Sequence, residues 1–465
     1  MCGVVGIHGH PEAAKLAYLG LHALQHRGQE GAGIAVSDTV TLRAHRALGL
    51  VGDIFSERDL AELPGDAAVG HVRYSTSGES SRRNVQPFVV RYRDGQLAIA
   101  HNGNLVNAMA LRQQLENRGS IFATSSDTEV ILHLLATSQQ ATFVNRLVDA
   151  LLQVEGAYSL ILMTEDRMVA VRDPRGFRPL VMGRLGDATV FASETTALEL
   201  LGARFEREVA PGEMVIVDGR GVTSLTPFPR RPRRACIFEH VYFARPNSTV
   251  FARPVYDSRF DWGRLLARTA PVEADVVLPV PDSGTPSALG YSFESKLVFK
   301  QGLIRSHYVG RTFIEPDQQI RDFGVKLKLS PVRSVIEGKR LVVVDDSIVR
   351  GTTSRKIVRL LREAGAREVH LRICSPPIIA SCFYGIDTPD QEELIAHRLK
   401  VDEICAFVGA DSLAYLSLEA LRQPLGHEAD QYCDACFSGR YPVAPRTDTE
   451  LPQLPLFQGR AVDTV

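Results

Sequence analysis

Apolar positions in the first half of the chain come in short runs split by polar turns. Residues 3–7, 33–36, 97–101, 160–163, 168–171 and 190–192 form such runs, and each predicts a strand because none is long enough for a helix. Two stretches, 129–136 and 143–152, carry apolar residues at three- and four-residue spacing and predict helices. Beyond residue 234 the pattern changes to strand, loop and helix in alternation. Residues 275–278 and 341–344 read as strands covered on both faces. Ile357, Val358, Leu360 and Leu361 place a helix over 355–364, which Gly365 stops. Such alternation predicts a doubly wound unit around a parallel sheet. The Pro- and Arg-rich segment 227–234 separates the two patterns, dividing the chain into 2–230, 231–440 and a polar, Pro-containing tail over 441–465.

Candidate chemistry enters with the run from Val342 to Ser354, which reads Val-Val-Val-Asp-Asp-Ser-Ile-Val-Arg-Gly-Thr-Thr-Ser. Its two acids fall at the carboxyl end of a strand, where open α/β sheets bind ligands. Gly351 to Thr353 fall at a helix start, where backbone N–H groups can hold a phosphate. Two acids after a strand also occur as a solvated turn, but the whole run resembles the phosphoribosyl pyrophosphate (PRPP) motif of the type I phosphoribosyltransferases. The resemblance implies that Asp345 and Asp346 face the ribose hydroxyls and metal. Ser347, Arg350, Gly351, Thr352 and Thr353 would complete the PRPP site, the Thr-rich loop taking the 5-phosphate.

At the other end, Met1 is followed directly by Cys2 and a strand. Removal of Met1 would give Cys2 both a thiol and a free α-amine, which titrates near pH 8 and can serve as the thiol's local base. A cysteine in this place can equally be a small buried residue. Three later segments change the picture: Gln25-His26-Arg27-Gly28-Gln29, His71-Val72-Arg73-Tyr74-Ser75-Thr76 and His101-Asn102-Gly103-Asn104-Leu105, with Ser126-Asp127 beyond. With Cys2 they look like the class II glutamine amidotransferase domain, a likeness that runs to about residue 225. It implies that Cys2 attacks the glutamine amide carbon. The Asn102 side chain and the Gly103 N–H would hold the oxyanion, Arg73 the α-carboxylate and Asp127 the α-ammonium.

Joined in one chain, the two halves resemble the glutamine PRPP amidotransferase family, which catalyses the first step of de novo purine synthesis. That resemblance implies an α+β N-terminal nucleophile domain, an α-β-β-α sandwich, followed by an α/β type I phosphoribosyltransferase domain. Phe238 to Pro246 matches the opening of the second domain. Pro279-Val280-Pro281-Asp282-Ser283-Gly284 looks like the pyrophosphate loop, with Ser283 joining Asp345 and Asp346 around Mg²⁺. Tyr308 to Ile314, leading to Lys326-Leu327-Lys328, looks like the loop that closes over PRPP and helps to enclose an ammonia channel. Arg311 and Lys326 are its candidate PRPP contacts.

Seven cysteines in 465 residues, with no secretory leader, argue against a disulfide framework. Cys433-Asp434-Ala435-Cys436 is a C-x-x-C pair. It resembles the iron–sulfur branch of the same family, in which Cys236 and Cys382 supply the other two ligands of a [4Fe–4S] cluster with a structural role. Four cysteines can also build a zinc site, so the metal stays open at this point. Cys374 and Cys405 have apolar neighbours and read as core residues.

A formal net charge of −1 gives no electrostatic case for nucleic acid or an anionic membrane, and no apolar run is long enough to span a bilayer. The expected location is the cytoplasm, and the resemblance implies a homo-oligomer, dimer or tetramer, acting on glutamine and PRPP. Some positions depart from the family pattern. Residues 305–307 read Arg-Ser-His where Lys-Asn-Arg is common, and His240, Asn247 and Ser81-Arg82-Arg83 are unusual. These leave room for a paralogue with altered activity or pathway. Two further alternatives are a PRPP-sensing regulator, which leaves the Cys2 to Asp127 set without a purpose, and a hexosamine-forming amidotransferase, which lacks the 342–354 run.

Overall fold

In a computed structural model, residues 1–74, 81–306 and 329–444 are described. Two antiparallel sheets fill the first half. One has seven strands, in the spatial order Arg204–Glu208, Val181–Leu185, Ala188–Ala192, Gly3–His8, Ala67–Arg73, Gly31–Ser37 and Leu42–Leu48. The other has six, in the order Gly221–Leu225, Met214–Asp218, Arg167–Arg172, Gly156–Met163, Gly95–Leu105 and Phe88–Tyr92. Strand alternation gives each sheet two apolar faces. Val4, Ala35 and Val69 of the first sheet meet Ala98, Ile161 and Met168 of the second in a common core. The outer face of the first is covered by helices Ala13–Ala23 and Thr195–Leu201, and that of the second by Thr128–Thr137 and Phe143–Leu151. The result is an α-β-β-α sandwich.

The second half is built on a five-stranded parallel sheet, in the order Val298–Phe299, Val276–Pro279, Arg340–Asp345, Glu368–Ile373 and Ser412–Tyr415. Alternation explains the apolar run at its centre. Val342 and Val344 pack towards helices Val255–Thr269 and Thr285–Ser295, whereas Leu341 and Val343 pack towards Thr352–Glu363 and Val401–Val408. All four are fully buried, each contributing about 1.5–3 kcal/mol of apolar burial.

Two elements extend beyond the apolar pattern. The 97–101 strand continues to Leu105, because Asn102, Gly103 and Asn104 stay in register with Ser159, Tyr158 and Ala157. The 355–364 helix begins earlier, at Thr352. Both extensions are polar, so hydrophobic periodicity does not register them, and both carry candidate site residues. A short parallel pair, Ala235–Cys236 against Tyr432–Cys433, ties the start of the second half to its end and sets Cys236 opposite Cys433. Among the described residues no helix is long and apolar enough to cross a membrane.

Candidate functional site

Cys2 stands at the head of the central strand Gly3–His8. The neighbouring strand Ala67–Arg73 delivers Tyr74, whose carbonyl accepts a weak hydrogen bond from the Cys2 thiol at 3.6 Å. Arg27 Nε donates to the Cys2 carbonyl at 3.0 Å, fixing the backbone of the candidate nucleophile. Arg73 is buried and donates to the Asn84 carbonyl at 2.5 Å. Burial lowers the pKa of its guanidinium, while Cys2, Glu30 and Asp127 are near enough to act in the opposite direction.

The facing sheet contributes the other candidates. Asn102 is fully buried, and neither atom of its amide has a hydrogen-bond partner among the described residues. Most buried amides are satisfied, so an unpartnered one calls for a specific explanation, a bound ligand or a catalytic role among them. Asp127, just before helix Thr128–Thr137, accepts from the Leu105 N–H at 2.9 Å. Its carboxylate lies 3.7 Å from His101 Nδ1, an ion pair rather than a hydrogen bond. Burial disfavours charge on both, but each holds the other ionised: the His101 pKa is raised and that of Asp127 lowered.

Behind Cys2 lies a buried ion network whose members come from segments far apart in the chain. Arg27 donates to Glu194 at 2.5 Å and to Glu239 at 2.7 and 3.0 Å. His26 Nε2 reaches Glu194 at 2.7 Å, and Arg178 reaches Glu239 at 3.3 Å. Glu239 opens the π-helical turn Glu239–Phe243 of the second half, so the network joins the two halves behind the nucleophile. Burial alone would raise the Glu194 pKa, but His26 and Arg27 outweigh it and hold the carboxyl far below its usual range. Met1 is itself buried, with Sδ 2.8 Å from Arg178 Nη1, and burial lowers the pKa of its α-ammonium to about 5.

The second candidate site sits at the carboxyl end of Arg340–Asp345. Ser283 Oγ donates to Asp346 at 2.5 Å and Ser347 Oγ at 2.6 Å, while the Asp346 N–H donates to Asp345 at 2.9 Å. Burial and the neighbouring Asp346 push the Asp345 pKa well up. That of Asp346 is also raised by burial, with the two serines partly opposing. One buried and one half-buried acid with a hydroxyl beside them form an oxygen donor set suited to a hard divalent cation, whose charge would reverse both shifts. Gly351 caps helix Thr352–Glu363 with φ +75°, a left-handed conformation that favours glycine. Thr352 and Thr353 therefore occupy the helix's first turn. Arg350 pairs with Glu393 at 2.7 Å, and Arg305 with Asp282 at 2.6 Å. Arg311, Lys326, Lys328 and the Tyr308 to Ile314 segment lie outside the described residues.

Cys236, Cys382, Cys433 and Cys436 line one apolar cavity with Phe177, Arg178, Phe238, Tyr384 and Ile386. Strand pairing sets Cys236 opposite Cys433. The Cys436 carbonyl accepts from the Ile379 and Ala380 N–H groups, drawing in the chain that leads to Cys382. Among the described residues, no three His, Cys, Asp or Glu side chains are grouped to hold a single ion. A zinc ion would draw its four sulfurs to about 3.8 Å from one another, given Zn–S bonds near 2.3 Å. Four thiols around one cavity form a donor set that fits a [4Fe–4S] cluster and a single zinc ion alike. Burial raises the pKa of the Cys236 thiol to about 11 and those of Cys433 and Cys436 further. Cys374 is buried, and Cys405 is half-buried on helix Val401–Val408 with its thiol donating to Ala410 O.

Comparisons with known proteins converge on one family. A family described as a glutamine amidotransferase domain matches residues 71–200. Amidophosphoribosyltransferase 1, chloroplastic, of Arabidopsis thaliana is 63% identical over 446 residues, 96% of this chain and 79% of the relative. The Bacillus subtilis amidophosphoribosyltransferase is 50% identical over 458 residues, covering 97% of this chain and 96% of that one. Among solved structures, the B. subtilis glutamine PRPP amidotransferase complexed with ADP and GMP superposes with a TM-score of 0.92. It is 50% identical, and the match covers 98% of this chain and 100% of that one.

Proposed function

The chain belongs to the amidophosphoribosyltransferase family, and from that premise we propose how its residues divide the reaction. The enzyme catalyses the first step of purine biosynthesis, in which the amide nitrogen of glutamine replaces the pyrophosphate of PRPP. The products are 5-phosphoribosylamine, glutamate and pyrophosphate. With Met1 removed, the Cys2 α-amine takes the thiol proton, and the sulfur attacks the glutamine amide carbon. The Asn102 amide and Gly103 N–H receive the oxyanion, a role supported by Asn102 being buried with its donor unused. Arg73 takes the α-carboxylate through its planar fork, and Asp127, kept ionised by His101, takes the α-ammonium. Ammonia leaves, and water releases glutamate from the thioester.

At the second site, Asp345, Asp346 and Ser283 would hold Mg²⁺, whose positive charge would offset that of the departing pyrophosphate. The first turn at Thr352 and Thr353 holds the 5-phosphate, with Ser347, Arg350 and Gly351 around it. Arg311 and Lys326 contact PRPP from the loop beyond Tyr308. Ammonia attacks C1 from the face opposite pyrophosphate, and the chain's own contribution there is positioning. In the cysteine cavity we place a [4Fe–4S] cluster with a structural role, supported by the four cysteines lining one cavity and by the resemblance of the C-x-x-C pair. A homo-oligomer and a cytoplasmic location complete the proposal. Both rest on the resemblance and on sequence composition, and the Arabidopsis relatives are chloroplastic by name.

The observation that carries this reading is the pairing, in one chain, of Cys2 at the head of a central strand and a buried unused amide on the facing sheet with a Ser-buttressed acid pair on a parallel sheet. The test is glutamate release by anaerobically purified protein with glutamine and Mg²⁺, with and without PRPP, while pyrophosphate is followed. Equal, PRPP-dependent release of both is expected. Glutamate without pyrophosphate would move the second site to another acceptor, with Arg305 the first residue to examine.

A further inference from the structure

The cavity that gathers the four cysteines and the strand that carries the oxyanion donors touch each other. Residues 383–385, directly after Cys382, lie against Gly103 and Asn104. A Cβ added at Gly385 would fall 2.9 Å from the Gly103 carbonyl carbon and 3.0 Å from its oxygen, and Gly385 has φ +101°. Asn104 Nδ2 donates to the Phe383 carbonyl at 3.0 Å. On its other side the same strand is held by the Leu105 N–H bond to Asp127. The three-residue loop is firmly seated. Arg178 donates twice to the Tyr384 carbonyl, at 2.8 and 2.5 Å, and the Tyr384 ring stacks on Phe177 with centroids 4.4 Å apart.

We propose that Phe383 and Gly385 are positioning residues for the glutaminase half-reaction: the loop leaving Cys382 presses on the Gly103–Asn104 backbone and sets the height of the oxyanion donors above Cys2. This rests on the reading of Asn102 and Gly103 as the oxyanion site. An oxyanion hole works because its donors are fixed before charge develops, so displacing a backbone donor by a fraction of an ångström weakens the transition state more than the bound substrate. No such loop is needed for sugar–phosphate chemistry at Asp345 and Asp346. The chain thus lets the integrity of the cysteine-lined region be felt at Cys2 without any contact between that region and glutamine.

The test compares Gly385→Ala, Asn104→Ala and Asn102→Ala in the full-length enzyme. For Gly385→Ala, kcat with glutamine should fall about tenfold or more with little change in the glutamine KM, while PRPP-dependent synthesis from ammonium salts stays near the wild-type rate. Labelling of Cys2 by a diazoketone analogue of glutamine, read by mass spectrometry, should slow in parallel. Iron and acid-labile sulfide per chain should stay unchanged. Asn104→Ala, which removes the hydrogen bond without adding bulk, should give a milder loss of the same kind. Unchanged glutamine kcat in both variants overturns the proposal. So does a loss shared equally by the ammonium-dependent reaction, which would mark a general structural defect. If instead Asn102→Ala retains glutamine turnover, the oxyanion reading itself fails, and the proposal with it.

Discussion

Asn102→Ala offers a sharp separation of function from stability. A buried side-chain polar group normally stabilises the fold through its partners, so deleting it costs both. The Asn102 amide has none among the described residues, and each unsatisfied buried polar group costs about 1–3 kcal/mol. Truncation removes that cost and leaves a small cavity in exchange, so the two effects largely cancel. The expected stability change is within about 1 kcal/mol, which shifts the thermal midpoint of a chain this size by no more than about 2–4 °C. Activity should behave otherwise. Loss of one preset oxyanion donor lowers kcat by about 10²–10³, or roughly 2.7–4 kcal/mol of transition-state stabilisation. Glutamine-dependent pyrophosphate release should therefore collapse with the glutamine KM nearly unchanged, while ammonium-dependent synthesis persists. Differential scanning calorimetry beside steady-state kinetics with the two nitrogen donors makes the comparison. A large drop in thermal midpoint would refute the reasoning, because it would reveal the amide as a structural partner. Retained glutamine kcat would refute it from the other side.

Other outcomes follow from the same geometry. Cys2→Ala should abolish glutamine use while leaving synthesis from ammonium salts; loss of both in a folded protein would argue against separate sites. Glu194→Gln removes a carboxylate buried between His26 and Arg27, and breaking such a pair costs about 3–5 kcal/mol. Because the folded pKa of Glu194 is depressed, its contribution is complete above the unfolded value near 4.5 and is lost as pH falls below it. The stability gap between wild type and variant, followed by urea titration, should be flat from neutrality down to about pH 5 and then narrow. Cys433→Ser should abolish bound iron and the visible absorption of an iron–sulfur protein; zinc found in the wild-type protein at one per chain would replace the cluster assignment.

Much of the architecture was legible because it is written in apolar periodicity. The run from Leu341 to Val344 alternates between two helical layers and could be little other than a buried strand. The acid pair after it needed only the strand's direction to be placed, whereas Ser283 came from a resemblance and the fold sets it against Asp346. The four cysteines are spread over two hundred residues, and a resemblance rather than spacing grouped them; the fold brings them to one cavity. What stayed hidden is long-range and polar. Arg27 finds Glu194 and Glu239 only once both sheets and the second half have assembled, and although Arg27 and Glu239 lie in segments that carry the resemblance, nothing local pairs them. His101 and Asn104 lie in segments that were noticed, yet their partners Asp127 and Phe383 are set by strand register and by contact between the halves. Neither leaves a trace in local pattern.

The parallel pairing of Cys236 with Cys433 also orders events in time. The two residues lie nearly 200 positions apart in the chain. At elongation rates of about 5–20 residues per second, the first waits roughly 10–40 s for its counterpart to be made. For most of that interval the N-terminal sandwich has all its strands, but the loop after Cys382, which lies against Gly103 and Asn104, has yet to be made. Closure at Cys433 is thus among the last contacts the chain can make, after the strand that carries Asn102 and Gly103 has met the loop that follows Cys382.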